Sequence, residues 1–157
     1  MGRQQPGGAV TVRGKSGGGS REKVRVRSRN RSQSSRQWLE RQLNDPYVAR
    51  AKREGMRSRA AYKLMEIDDK ARFLKKGGRV VDLGAAPGGW SQVAAQRVGA
   101  PESGRVVAID VLSMEQVRGV DFLHLDFLDR AAPEQLKAMI GGPANVVLSD
   151  MAANATG

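Results

Sequence analysis

The residues whose type and spacing best suit chemistry are four aspartates, each at the end of a short apolar run. They are Asp82, Asp110, Asp126 and Asp150. A glycine-rich turn, DLGAAPGGW at residues 82–90, begins at the first of them. In an open α/β sheet, ligands bind outside the carboxyl ends of the strands. One aspartate after a strand is usually a loop or cap residue, but four in succession beside a glycine turn predict a shared binding crevice.

Two classes of ligand compete for a turn of this kind, a pyrophosphate cofactor and a positively charged methyl donor. The dinucleotide fingerprint is G-x-G-x-x-G, and its second glycine lets the backbone approach the pyrophosphate. The turn reads GAAPGG from Gly84, so Ala86 stands in the place of that glycine. A ring of carboxylates also repels a pyrophosphate, whereas S-adenosylmethionine carries a sulfonium and an ammonium against one carboxylate. Electrostatics therefore favours the methyl donor.

The turn and the acids suggest how such a donor is held. N–H groups at the helix start near residues 88–90 can bind its carboxylate. Asp82 or its neighbours suit its ammonium group. Asp110, which comes 26 residues after Gly84, lies where an acid that accepts from ribose hydroxyls belongs. Asp126 is a candidate acceptor for the adenine amino group.

The hydrophobic pattern supplies the elements that bring these residues together. Four short apolar runs are typical of strands: RVVDLG, GRVVAID, VDFLHLDF and ANVVLSD. Two segments with a helical pattern, GWSQVAAQRVG and PEQLKAMIGG, lie between them. Strands separated by helices or long connections indicate a parallel sheet that is covered on both faces. The sequence therefore predicts the α/β class.

Helices are also predicted ahead of the first strand. From Gln37 the pattern indicates short helical pieces with a break near residues 44–46. The segment SRAAYKLMEIDDKARFLKKGG has apolar residues at the i, i+4, i+7 spacing of an amphipathic helix. Ser58 is its expected N-cap, and residues 75–77 are its expected C-terminal end.

The N-terminal residues differ from the rest in composition and charge. Residues 1–36 consist largely of Gly, Ser and Arg, so we expect a disordered basic tail ahead of a folded domain at 37–157. Residues 1–79 hold 22 Lys and Arg against 7 Asp and Glu, whereas residues 80–157 hold 5 against 9. This imbalance favours a polyanion as the partner of the basic half. The alternative is a tail that only improves solubility.

The composition also argues against several protein classes. The chain has no cysteine, which excludes disulfides and cysteine-ligated metals and fits a reducing, cytoplasmic location. The first residues lack the apolar segment of a secretory signal. No run approaches the roughly 18 apolar residues of a membrane span. We expect a monomer without metal or membrane partner, and a structural or surface role for His124, the only histidine.

Four motifs together resemble one known family. SRAAYKL, VVDLGAAPGGWSQ, GVDFLHLDF and LSDMAANATG are similar to motifs of the FtsJ/RrmJ family of ribosomal RNA ribose 2′-O-methyltransferases, over about residues 34–157. The resemblance implies a Rossmann-like, S-adenosylmethionine-dependent methyltransferase fold. It also implies that the methyl acceptor is a uridine ribose in large-subunit (23S) rRNA, so that the partner is either that rRNA or a ribosomal subunit. At matching positions it implies five donor-binding residues, Gly88, Trp90, Asp110, Asp126 and Asp150.

The family's catalytic set is Lys-Asp-Lys-Glu, and the resemblance implies that this chain carries the first two. Lys63 in SRAAYKL matches the first lysine, and Asp150 matches the aspartate. The second lysine and the glutamate of the family fall past Gly157. The resemblance implies that this second lysine activates the ribose hydroxyl, because a neutral lysine amine can take its proton. On pattern alone Lys63 is an ordinary solvated helix lysine, and Ala153 stands where the family usually has proline.

The resemblance also implies a larger sheet than the four predicted strands. The family has seven strands, so its C-terminal strands are missing here, and ANVVLSD is then an uncovered apolar edge and a predicted aggregation site. We expect the gene to continue in frame beyond residue 157. One alternative is a catalytically incomplete fragment that only binds RNA or the methyl donor. After the methyltransferase and the binding fragment, a third and weaker interpretation is a nicotinamide-dependent enzyme.

Overall fold

A computed structural model of the chain describes residues 23–26 and 32–152, within two compact units, residues 1–50 and 51–157. The helices of the described residues are α1 (Gln33–Asn44), α2 (Pro46–Glu54), α3 (Ala60–Ala71), α4 (Gly89–Val98) and α5 (Ala132–Ile140). The strands are β1 (Arg79–Leu83), β2 (Arg105–Asp110), β3 (Val120–His124) and β4 (Val146–Ser149). Most of the predicted disordered tail, and Ala153, lie outside the described residues, so the predicted domain division stays a prediction.

The described strands form one sheet in the order β3-β2-β1-β4, and every neighbouring pair is parallel. The chain moves from β1 through β2 to β3, and β4 then lies on the other side of β1. The order therefore reverses beside β1, which is the point where open α/β sheets bind ligands. The predicted α/β class is confirmed, as are the four strands and the two helices between them.

Helices cover the two faces of the sheet. Alternate residues of a strand point to opposite faces. On one face Val80 belongs to a core cluster with Leu64 of α3 and Val93 of α4. On the other face Val81 packs with Ile140 of α5. The residues before β1 and after it therefore meet on the same face, because α3 and α4 share one core.

β4 forms one edge of the described sheet. The side chain of Val147 is 61% exposed there. This exposure agrees with the expected apolar edge, while aggregation through it stays a prediction.

The start of α3 differs from the expected one. The helix begins at Ala60, and its N-cap position is Arg59, which makes no side-chain capping bond. The expected N-cap role of Ser58 is wrong, because the helix starts one residue too late for it. The Ser58 carbonyl instead accepts the N–H of Ala61 in a turn at 3.3 Å.

The end of α3 also comes before the expected residues 75–77. The helix ends at Ala71, and Arg72 takes the left-handed conformation at its C-cap (φ 50°, ψ 49°). The Asp68 carboxylate then accepts the N–H of Leu74 at 2.9 Å. This tight exit turns the chain early, and it lets Leu74 reach the core, where it is 7% exposed.

In the N-terminal unit, α1 is contacted by the short described segment 23–26. The Asn44 side chain donates to the carbonyl of Val24 and accepts from its N–H, at 2.9 and 2.7 Å. Glu40 accepts the N–H of Val26 at 2.8 Å. The alternating Val and Arg residues here therefore bond side chains of a helix. α1 and α2 are separated at Asp45, which confirms the predicted break.

Candidate active site

The glycine turn joins β1 to α4 and depends on glycine at two positions. Gly84 has φ 71° and Gly88 has φ 106°, a backbone region that residues with a β-carbon rarely adopt. A β-carbon on Gly84 would overlap the side chain of Met151. A β-carbon on Gly88 would lie 2.9 Å from Cγ2 of Val117. The turn is therefore enclosed by the residues after β4 and by the β2–β3 connection.

Three of the four predicted aspartates converge at this turn. β1 pairs in register with β2 and β4 as far as Leu83. One residue further along, Gly84 is flanked by Asp110 on the β2 side and by Asp150 on the β4 side. Neighbouring strands are about 4.8 Å apart, so these two aspartate backbones lie roughly 10 Å apart across the turn. By the two-residue alternation, Asp82 points to the same face as both, the face covered by α3 and α4.

Asp82 lies inside the protein rather than in the crevice. It is 2% exposed, and its carboxylate accepts a hydrogen bond from the Ser91 hydroxyl of α4 at 2.6 Å. Burial raises the pKa of Asp82 to about 6, the Ser91 bond opposes that rise, and the charges of Asp150 and Asp110 add to it. Asp82 was one candidate to bind the ammonium group of the donor. Because it is buried, only its neighbours are open to a ligand.

Asp110 fixes the turn to β2. One of its carboxylate oxygens accepts the N–H of Ala86 at 2.9 Å, and the other accepts the N–H of Leu112 at 2.8 Å. Each carboxylate oxygen has a second lone pair, so a half-buried Asp110 can still accept from ligand hydroxyls. The side chain is thus oriented before any ligand binds.

Asp126 reaches the same edge from a turn. The expectation that it ends the third strand is wrong, because β3 stops at His124. The chain turns at Leu125, whose N–H donates to the Asp110 carbonyl at 3.1 Å. The exposed Asp126 carboxylate accepts the N–H of Leu128 at 2.9 Å. Asp126 therefore directly follows Leu125, the residue that is hydrogen-bonded to the end of β2.

Lys63 and Trp90 come together where α3 meets the first turn of α4. The Trp90 indole N–H donates to the Ala60 carbonyl at 2.8 Å, and the indole is 8% exposed. The Lys63 Nζ lies 5.7 Å from the centroid of that ring. Lys63 is itself exposed, so its amine is held beside the glycine turn while remaining open to solvent.

Arg57 is a further residue of this region that the sequence pattern did not single out. Its guanidinium donates to the carbonyls of Glu115 and Gln116, at 2.9 and 2.6 Å. Its backbone N–H donates to the Gln92 side chain of α4 at 2.7 Å. The segment ahead of α3 is thereby tied to the β2–β3 connection that encloses Gly88. No spacing rule predicts a bond between residues nearly 60 positions apart, so no sequence signal identified it.

His124 has the structural or surface role that was expected. It is exposed, its Nε2 lies 2.7 Å from the Val111 carbonyl oxygen, and its ring stacks on Phe122. Across residues 23–26 and 32–152, no cluster of His, Asp and Glu has the geometry to hold a metal ion. In the same residues, every helix is too short or too polar to cross a membrane.

Comparison with known proteins connects this site to one family. The sequence profile of the FtsJ-like methyltransferases matches residues 56–157. A crystal structure described as a ribosomal RNA methyltransferase from Plasmodium falciparum is similar with a TM-score of 0.58 at 32% identity. That similarity covers 64% of this chain and 59% of the other. Both findings confirm the expected Rossmann-like methyltransferase fold.

Curated relatives carry the name Ribosomal RNA large subunit methyltransferase E. The chain is 66% identical over 139 residues to that of Rhodopseudomonas palustris (strain BisB5) and 70% identical over 128 residues to that of Nitrobacter winogradskyi. These alignments cover 87% and 81% of this chain but 59% and 56% of the relatives. The chain thus spans less than two thirds of the length of these relatives.

Proposed function

The chain belongs to the FtsJ-like methyltransferase family, and on that premise we propose that it serves S-adenosylmethionine-dependent 2′-O-methylation of a uridine ribose in large-subunit (23S) rRNA. The observation that carries this proposal is the flanking of Gly84 by Asp110 and Asp150, on the sheet face where Lys63 of α3 lies. In this proposal the two acids line the donor site along the strand ends, and the Lys63 amine faces that site from α3.

The charge of the crevice supports a cationic donor over a pyrophosphate. Asp110, Asp126 and Asp150 bring three carboxylates to one sheet edge, and Asp82 lies directly behind them. A ligand with two positive groups and one carboxylate gains from this excess of negative charge, whereas a doubly negative pyrophosphate is repelled. When bound, S-adenosylmethionine supplies a methyl group already activated by its sulfonium.

The residues that would hold the donor divide its polar groups among them. We assign its carboxylate to the backbone N–H groups of the first turn of α4, which include that of Trp90, since the first turn of a helix leaves its N–H groups without intrahelical partners. The Gly88 N–H donates to the Ala85 carbonyl at 2.7 Å, so Gly88 contributes the left-handed backbone that shapes the turn. Asp110 accepts from the ribose hydroxyls, and Asp126 accepts from the adenine amino group. Asp150 takes the ammonium group and lies beside the reacting atoms.

Lys63 and Asp150 act on the acceptor in this proposal. A ribose hydroxyl is a weak acid, so its reaction requires removal of a proton and alignment of its oxygen with the methyl group. The proton passes to the family's second lysine, whose position falls past Gly157, while the Lys63 Nζ beside the Trp90 ring hydrogen-bonds that oxygen and fixes its position. Asp150 confines the oxygen from the opposite side, at the end of β4.

Calorimetric titration of the 157-residue chain tests the donor. We expect S-adenosylmethionine to bind more tightly than NAD, because the acidic crevice penalises the pyrophosphate. Tighter binding of NAD would reject the donor site and favour a nicotinamide enzyme.

Incubation of the chain with 23S rRNA and methyl-labelled S-adenosylmethionine tests the reaction. Label recovered as 2′-O-methyluridine supports the enzyme. Donor binding without any transfer favours the alternative, a chain that by itself only binds RNA or the donor.

Lys63 has a matched control on its own helix. In a form of the protein that transfers methyl groups, we expect Lys63→Ala to lower the transfer rate at least 100-fold, in the range of one positioned catalytic group. Lys70→Ala removes an exposed lysine of α3 that pairs with Glu66, and it should leave the rate unchanged. Equal rates for the two variants would remove Lys63 from the reaction.

A further inference from the structure

A cationic loop connects α3 to β1, and we define it as residues 72–76, with Arg72, Lys75 and Lys76 as its charged side chains. Residues 70–79, which include it, carry five Lys and Arg and no Asp or Glu. β1 begins three residues after the loop, so the loop lies at the amino end of the sheet. Five residues of strand span about 16 Å, and that distance separates the loop from the carboxyl ends where the aspartates lie.

The backbone of the cationic loop is held in place by Asp68 of α3. The Asp68 carbonyl accepts the N–H of Arg72 at 2.6 Å, and its carboxylate accepts the N–H of Leu74 at 2.9 Å. Leu74 is buried, which anchors the middle of the loop in the core. The loop therefore presents its cations in a defined arrangement, at a lower entropic penalty than a free tail.

The conformation of Arg72 is unusual for its residue type. α4 and α5 end at left-handed C-caps that are glycines, Gly99 and Gly141. α3 ends at a left-handed Arg72, which among the described residues is the only non-glycine residue with positive φ. An arginine is less stable than a glycine in this conformation. The protein thus tolerates backbone strain at a position that exposes a guanidinium.

The charges of the cationic loop exceed those of the neighbouring acids. One shallow cavity is lined by Asp68, Asp69, Arg72, Leu74, Lys75, Lys76 and Arg97. Its two acids both pair with Arg97, at 3.2 and 2.9 Å. Within the described part of the chain, no carboxylate pairs with Arg72, Lys75 or Lys76, and all three are exposed.

We propose that the cationic loop is a second contact surface for RNA, at which Arg72, Lys75 and Lys76 bind backbone phosphates away from the reacting ribose. This inference rests on the proposed function, which supplies a long RNA as the substrate. Three cations without an ion-pair partner among the described residues lie on a surface whose lining has four cations against two acids, and this excess of positive charge suits a phosphate backbone. The exposed side chains of the loop are cationic rather than apolar, which favours RNA over a lipid surface, since membrane binding also needs buried apolar area.

Affinity for a fluorescein-labelled single-stranded RNA, measured over a series of salt concentrations, tests the loop. We expect Lys75→Gln/Lys76→Gln to weaken binding roughly tenfold and to lower the slope of log affinity against log salt by about 1.4, at about 0.7 for each phosphate contact. The control Arg118→Gln/Lys137→Gln removes two exposed cations that face Glu102 and Glu134, and it should leave the slope unchanged. Equal losses in the two double variants would overturn the inference.

Arg72→Gly separates RNA binding from a structural role. Glycine relieves the left-handed backbone, so the unfolding midpoint should stay equal or rise while RNA affinity falls about threefold. A lower midpoint, or unchanged RNA affinity, would overturn the role of Arg72 as a phosphate contact. Tighter binding of the chain to phosphatidylserine vesicles than to RNA, lost in the double variant, would overturn RNA as the partner.

Titration with S-adenosylmethionine distinguishes the two proposals. Loop variants should bind the donor as the unmodified chain does, because the loop lies at the other end of the sheet. Normal donor binding with RNA affinity unaffected by the loop variants would reject the loop alone. If the unmodified chain does not bind S-adenosylmethionine, the proposed function itself is rejected.

Discussion

The carboxyl ends of the strands and the cationic loop lie at opposite ends of one sheet, and they hold their charges in different ways. At the carboxyl ends, Asp110 accepts two backbone N–H groups and Asp82 accepts the Ser91 hydroxyl. At the loop, Asp68 holds the backbone, and Lys75 and Lys76 are left exposed. Acids with fixed side chains suit a small ligand bound in one pose. Exposed cations on a fixed backbone suit a polymer that presents many equivalent phosphates.

The largest expected effect concerns the burial of Asp82, to which the charges of Asp150 and Asp110 add. The pKa of Asp82 is raised from 3.8 to about 6 in the folded protein. The folded state therefore binds more protons than the unfolded state between about pH 4 and pH 6, so this residue makes stability fall as pH rises through that window. The loss is about 3 kcal/mol and is complete above the folded pKa. Asp82→Asn should remove this loss. The variant should therefore be more stable than the unmodified chain at pH 7 but not at pH 4.

Urea unfolding of both proteins from pH 4 to pH 7 measures this difference. Glu66→Gln is a control of opposite sign, because its hydrogen bond with Lys70 lowers the pKa of Glu66. That contribution to stability is present at neutral pH and is lost as the pH falls through the folded pKa. A stability difference between Asp82→Asn and the unmodified chain that does not change with pH would show that the buried site does not raise the pKa of Asp82.

The next effect concerns the oriented acid of β2. Asp110→Ala should weaken binding of S-adenosylmethionine about 30-fold, or ~2 kcal/mol, because the turn loses its bond at Ala86 and the ligand loses a charged acceptor. Calorimetry measures the change. Asp121→Ala removes an exposed acid of β3 that pairs with Arg105, and its binding should match that of the unmodified chain. If both variants bind equally well, the carboxyl ends hold no donor.

A smaller effect is expected for Arg57, which lies ahead of α3 and donates to two carbonyls of the β2–β3 connection. Arg57→Lys keeps the positive charge but cannot donate to two carbonyls at once. We expect donor affinity to fall about tenfold, or ~1.4 kcal/mol, as the connection around Gly88 loosens. Arg118→Lys on the same connection serves as the control in the same titration. Full affinity in Arg57→Lys would mean that charge alone, and not the two-carbonyl bond, is needed there.

The smallest effect concerns folding at Lys63. The Lys63 Nζ lies 5.7 Å from the centroid of the Trp90 ring and the residue is exposed, so Lys63→Gln should change the free energy of unfolding by about 0.5 kcal/mol. Thermal unfolding measures it. A much larger loss would assign Lys63 to folding rather than to the acceptor. The carboxyl end of the sheet would then have no amine assigned to the reaction.

The sequence supplied much of the fold because the relevant signals are local. The period of apolar residues located four strands and the helices between them, and the C-caps of α4 and α5 are the glycines that the pattern ends on. The same pattern placed the end of α3 at residues 75–77, whereas the helix ends at Ala71. The early stop depends on Asp68 bonding the N–H of Leu74 and on burial of Leu74. Such a bond competes with helical propensity only after the core has formed.

By itself the sequence determined the types of residue at the site: a turn that requires glycine at residues 84 and 88, acids after apolar runs, and an excess of cations before residue 80. Only the tertiary structure decided which of them face a ligand. Parallel register puts Asp110 and Asp150 on either side of Gly84, while helix packing buries Asp82 against Ser91. Residue type and strand period are local properties of the chain. Register and burial depend on contacts between distant residues, and no local pattern encodes them.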